Sequence, residues 1–171
     1  MTGYTGTLSS TFQINIRGLT ASTNVCKIAG TISWTGTLAF APVSTTAVIQ
    51  LTTNSKLLTT MTITSGAAAS LVVLQDNLAF TAVKTDSITL SERGLDVNGF
   101  TIKGNSAINR LLITTNTLGT STNRTITNAL VTTFDFVDFR DITFTTAGAL
   151  DLTNVATKLI GDCGNNTSSG G

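Results

Sequence analysis

With 171 residues the chain is long enough to bury one real hydrophobic core, so a single domain is the default expectation. A hydrophobic share of 41%, a charged share of 11%, one proline and a net charge of +1 describe a chain that folds, and one too weakly charged for phosphate-driven nucleic-acid binding. Threonine accounts for 36 residues, histidine is absent and Glu92 is the single glutamate, so the material favours β-strands and is poor in catalytic equipment.

In chain order, Met1 to Thr5 lack the basic and then apolar regions of a secretory signal, and no stretch reaches the ~18 apolar residues of a membrane helix. Membrane insertion is therefore not expected. Helical periodicity is almost absent. Apolar residues instead alternate in short runs, beginning with Phe12-Gln13-Ile14-Asn15-Ile16, Ile32-Ser33-Trp34, Leu38-Ala39-Phe40, Val48-Ile49-Gln50-Leu51 and Met61-Thr62-Ile63. After the turn formers Ser65-Gly66 come Ile88-Thr89-Leu90, Leu95-Asp96-Val97 and Phe100-Thr101-Ile102. Between the last two, Asn98-Gly99 suits either a two-residue hairpin or a corner of a coiled architecture, because both residues accept positive φ. Phe134-Asp135-Phe136 and Ile142-Thr143-Phe144 complete the series, and residues 165–171 have linker composition.

Two internal echoes bear on how such strands are joined. Residues 88–99 align with 142–154 with one insertion, which places Asp96 opposite Asp151, and Trp34 to Ala41 echoes Leu74 to Thr81. Short strands with imperfect echoes are expected of a parallel β-solenoid, in which inward apolar residues stack coil on coil and outward Thr or Asn form ladders. The irregular period leaves an antiparallel β-sandwich or jelly roll as the alternative.

Three motifs in order, Leu95-Asp-Val-Asn-Gly-Phe-Thr-Ile-Lys-Gly104, Val137-Asp-Phe-Arg-Asp-Ile-Thr143 and Ile160-Gly-Asp-Cys-Gly-Asn-Asn-Thr167, resemble parallel β-helix segments of bacteriophage structural proteins and bacterial surface proteins. The resemblance spans residues 85–167 and implies an all-β solenoid there. It also implies an elongated, often trimeric, virion or cell-surface component that meets a host. Residues 1–84 then form an all-β region, as first coils or as a small sandwich; 85–164 form the solenoid; and 165–171 form a linker or the start of a continued chain.

Absence decides most of the chemistry. Without histidine there is no Ser-His-Asp triad, Cys-His pair or imidazole ligand, and two cysteines alone do not make a zinc site. No phosphate-cradling glycine motif occurs, and no cofactor is expected. Asp135, Asp138 and Asp141 lie three apart, so on an extended chain 135 and 141 share one side while 138 opposes them; such carboxylates are candidates for an ion site or, more remotely, for glycoside cleavage. Trp34 is a candidate for stacking on a glycan, against an ordinary core role. Cys26 and Cys163 are either two free thiols or a disulfide closing a very long loop. The leading expectation is a non-enzymatic, self-associating β scaffold, a trimer or fibre among other structural proteins of a phage-like particle, located on a virion or extracellular surface. A receptor- or glycan-binding module of a tail fibre or adhesin is the second reading, and a carbohydrate-cleaving β-helix the third.

Overall fold

The computed structural model describes residues 14–16, 23–28, 37–41, 47–63, 71–81, 87–90, 94–119, 124–127, 134–145 and 160–168. The first coil gives β1 (Ile14–Ile16) and β2 (Thr23–Lys27); the second gives β3 (Thr37–Phe40), β4 (Val48–Thr52) and β5 (Leu57–Leu58). The third gives β6 (Thr60–Ile63), β7 (Leu71–Leu74) and β8 (Leu78–Phe80), and the fourth β9 (Ser87–Leu90), β10 (Gly94–Asp96) and β11 (Ile102–Lys103). The fifth gives β12 (Leu111–Thr115), β13 (Thr125–Thr127) and β14 (Phe134–Asp135). Two further rungs follow, β15 (Val137–Phe139) with β16 (Thr143–Thr145), and β17 (Ile160–Asp162) with β18 (Thr167–Ser168).

Corresponding strands stack into three sheets: sheet A runs β1-β3-β6-β9-β12-β15-β17, sheet B β2-β4-β7-β10-β13-β16-β18, and sheet C β5-β8-β11-β14. Pairing is parallel in all three, and the described residues contain no helix. The architecture is a β-solenoid with about four complete three-sided turns, and parallel strands rule out the sandwich and the jelly roll. The stack is not confined to residues 85–167. β6 pairs with β9, β7 with β10 and β8 with β11, so the same ladders cross residue 85 and reach back to β1 and β2.

One register column of sheet A reads Ile14, Leu38, Met61, Ile88, Ile113, Phe139 and Asp162, so successive coils take 24, 23, 27, 25, 26 and 23 residues. Corners absorb the variation, which is why no fixed repeat stands out in the sequence. The echoes do not follow this period. Ile88 belongs to sheet A while Ile142 leads into sheet B, and Leu38-Ala39-Phe40 lies in sheet A while Leu78-Ala79-Phe80 forms β8 of sheet C. The echoes reflect a shared inward–outward pattern on different sides of the coil.

Strand side chains alternate between the shared core and the outer face. The inward positions Leu38, Phe40, Ile49, Leu51, Met61, Ile63, Val72, Leu74, Ile88, Leu90, Leu95, Ile113 and Ile126 are all buried. Near the C-terminal rungs Phe134, Phe139 and Phe144, one from each sheet, meet edge to face, with Phe139 at centroid distances of 4.8 Å from Phe134 and 5.0 Å from Phe144. Outer columns carry the threonines: Thr60 lies between Thr37 and Ser87, and Thr62, Thr89 and Thr114 follow one another. On sheet B, Thr143 Oγ1 and Thr167 Oγ1 share a hydrogen bond of 3.0 Å.

Asn98 (φ 50°) and Gly99 (φ 77°) form a corner between sheets B and C, so the Asn-Gly pair is not a hairpin. At the corner from sheet C to sheet A, Phe136 itself adopts φ 57°, which ends β14 and starts β15. Its carbonyl oxygen accepts from Leu111 N at 2.9 Å and lies so close to Gly104 that a Cβ at that position would collide with it. Residues 165–168 are not a free linker: β18 pairs with β16, and the Asn166 amide is built into the last corner.

Candidate functional site

The three acids singled out by spacing are not brought together. Phe136 breaks the extended run, so Asp135 lies on the outer face of sheet C, Asp138 on that of sheet A, and Asp141 at the next corner. Each meets a different cation. Lys103 Nζ lies 3.4 Å from Asp135 one coil away, and 5.8 Å from the Phe136 ring centroid. Arg110 grips Asp138 from the neighbouring rung through Nε at 2.8 Å and Nη2 at 2.6 Å, and Nη2 also donates to the Val137 carbonyl. Gly161 leaves the space that this pair occupies, because a Cβ there would overlap the Asp138 carboxylate.

Asp141 is fully buried; its Oδ1 accepts from Gly119 N at 3.0 Å, while Arg140 Nε lies 3.6 Å from Oδ2. Its own N–H donates to the Gly164 carbonyl, so one residue joins the corners of three successive coils. The expected sharing of one side by Asp135 and Asp141 fails because positive φ at Phe136 and at Asp141 turns the chain twice. Among the described residues no three His, Cys, Asp or Glu side chains are placed to hold a metal ion together. The carboxylates act as clamps between coils, through Lys103, Arg110 and the Gly119 amide respectively.

Asp76 performs a similar task and was not marked out by the sequence. Its carboxylate accepts from Thr53 N at 2.8 Å and Asn54 N at 2.6 Å, and from Thr53 Oγ1 at 3.2 Å, which satisfies a corner of the preceding coil and the buried Thr53 hydroxyl. Asn77 Oδ1 accepts from Thr101 N at 2.9 Å in the coil that follows. Two corner asparagines reach the other way: the Asn54 amide donates to the Ile28 carbonyl and the Asn98 amide to the Leu74 carbonyl at 3.1 Å. The available signal was the recurrence of Asn or Asp just after an apolar run, at Asn54, Asp76 and Asn98. It reads as turn chemistry until the coils are stacked. Asp96 accepts from Asn98 N at 2.8 Å, a local turn bond; Asp151, its counterpart in the echo, lies outside the described residues, as does Trp34.

Cys26 and Cys163 are both free, Cys26 buried in the first described rung of sheet B and Cys163 exposed beyond β17 in the last rung of sheet A. With several rungs ~4.8 Å apart between them, they are far outside the ~7 Å Cα reach of a disulfide, so the long-loop bridge is not formed. Burial pushes the Cys26 thiol pKa up. Burial, and then the negative charges of Asp138 and Asp162, push that of Cys163 up. Neither is an activated nucleophile.

The described residues thus define one class of protein, a parallel β-solenoid with three-sided coils in which corner Asp and Asn side chains tie one coil to the next. Comparison of the chain with protein-family models, curated proteins and solved structures found no match in any of the three.

Proposed function

We propose that this chain is a non-enzymatic structural component of a phage-like particle or surface fibre, working as a rigid β scaffold that associates with copies of itself and with other structural proteins. The observation that carries the reading is the commitment of side chains to stacking: Asp76, Asp138, Asp141, Asn54 and Asn98 each bind the backbone or a side chain of a neighbouring coil. Groups so engaged are not poised for catalysis. The outermost strands of the described sheets, β1 and β17 in sheet A and β2 and β18 in sheet B, favour further pairing, since a terminal strand exposes a row of backbone donors and acceptors unless something covers it. The resemblance of residues 85–167 to phage and bacterial surface β-helices supports a place on a virion or extracellular surface.

Light scattering coupled to size exclusion, with negative-stain microscopy of the same fractions, tests this reading. Dimers, trimers or elongated particles of higher mass are the expected result. A compact monomer at all concentrations up to hundreds of micromolar would refute it.

A further inference from the structure

We propose that the outer face of sheet B across its first four rungs docks a second copy of this chain, with the two solenoid axes antiparallel. The inference rests on the self-association reading above and assigns it a surface. One outer column of this face reads Thr23, Val48, Leu71 and Gly94, and the column two residues along reads Val25, Gln50, Val73 and Asp96. Val25, 72% exposed, and the half-buried Val48, Leu71 and Val73 therefore form an apolar patch around Gln50. In the later rungs the same two columns carry Thr125 and Thr127, then Thr143 and Thr145. One end of this face is thus apolar where the fold itself accepts threonine.

The occupant follows from spacing and charge. Rows of side chains repeat every ~4.8 Å up the solenoid, and a surface interdigitates with them over several rungs only if it has the same rise, which a second copy has by construction. A twofold axis lying along the strands sets the first rung of one copy against the fourth rung of the other. That arrangement apposes valine and leucine near the centre. It also brings the rung of Lys27 against the partner's rung of Asp96, so opposite charges flank the apolar centre at both ends. A parallel arrangement sets each rung against itself and lacks this match. Four rungs of strands three to five residues long cover a face of at most roughly 15 by 17 Å, well below the ~800 Å² per partner of a standard interface, so the contact belongs to the weak class.

Sedimentation velocity of the full chain, from low to several hundred micromolar and at two salt concentrations, is the experiment. It compares the wild type with Val25→Lys/Val73→Lys, with Val25→Thr/Val73→Thr, and with Lys27→Glu; circular dichroism confirms the fold of each. The threonine variant installs residues that the same columns already carry, so it retains the solenoid. Expected are a reversible dimer step in the wild type, its weakening at least tenfold in the lysine variant and several-fold in the threonine variant, and a smaller, salt-sensitive weakening with Lys27→Glu. Association unchanged in the folded lysine and threonine variants overturns the docking face while leaving self-association through other surfaces intact. A wild type that stays monomeric throughout overturns both.

Discussion

Replacing Phe139 by alanine removes the ring that touches both Phe134 and Phe144, and so tests whether the three sheets share one core. The side chain is fully buried, and truncating a buried phenylalanine typically costs about 3–5 kcal/mol through lost transfer energy and the cavity left behind. The two edge-to-face contacts place the loss in the upper part of that range, since each such pair contributes ~0.5–1.5 kcal/mol beyond its area. Leu112→Ala is the control: Leu112 occupies an outer column of β12 and pairs with Asp138, so its truncation should cost under about 1 kcal/mol. Urea unfolding followed by circular dichroism, with both variants at one protein concentration, gives both values. Hydrogen exchange then locates the damage, which should concentrate in β12 to β16 because each rung contacts mainly its neighbours. Losses of equal size for the two variants would refute the assignment of inner and outer columns.

Gly104→Ala should destabilise by several kcal/mol, since the new Cβ meets backbone at the Phe136 carbonyl oxygen and lies 2.8 Å from Leu111 N. Gly99→Ala, open in space but at φ 77°, should cost only about 1–2 kcal/mol in the same urea unfolding measurement. Asp138→Asn should cost about 1 kcal/mol or less because the Arg110 pair is partly exposed, and the difference from wild type should shrink as salt is raised. Thiol labelling should reach Cys163 in the native state, more slowly than a free cysteine at pH 8, and accelerate as pH rises past 9.0; Cys26 should label only on unfolding. Both thiols bind their proton more tightly when folded. Their contribution to stability is therefore present below pH 9.0 and lost above it, as thiolate forms first in the unfolded chain.

Stretches with polar outer positions were legible from alternation alone: Ile49 to Leu51, Met61 to Ile63 and Ile88 to Leu90 fall within β4, β6 and β9. Leu71-Val72-Val73-Leu74 and Leu111-Leu112-Ile113 gave no alternation because their outer positions are apolar too, so β7 and β12 were hidden. Parallel pairing was beyond direct reading, since it depends on partners more than 20 residues away and on corners of uneven length. The carboxylates between 135 and 141 were visible as a cluster, but their separation was not. It turns on a phenylalanine in the left-handed region, which no composition rule anticipates.

The uneven coil length has a consequence for how such a chain can diverge. Register is held by strand pairs and by the brackets of Asp76, Asn98 and Asp141, while residues gained or lost fall at corners. Closing a somewhat longer loop costs only a fraction of a kcal/mol, so the outline of the coil can be redrawn, tip by tip, without altering its rise. The exposed Ile108, on the turn that follows β11, marks one place where a grafted segment is displayed at a defined height along the stack.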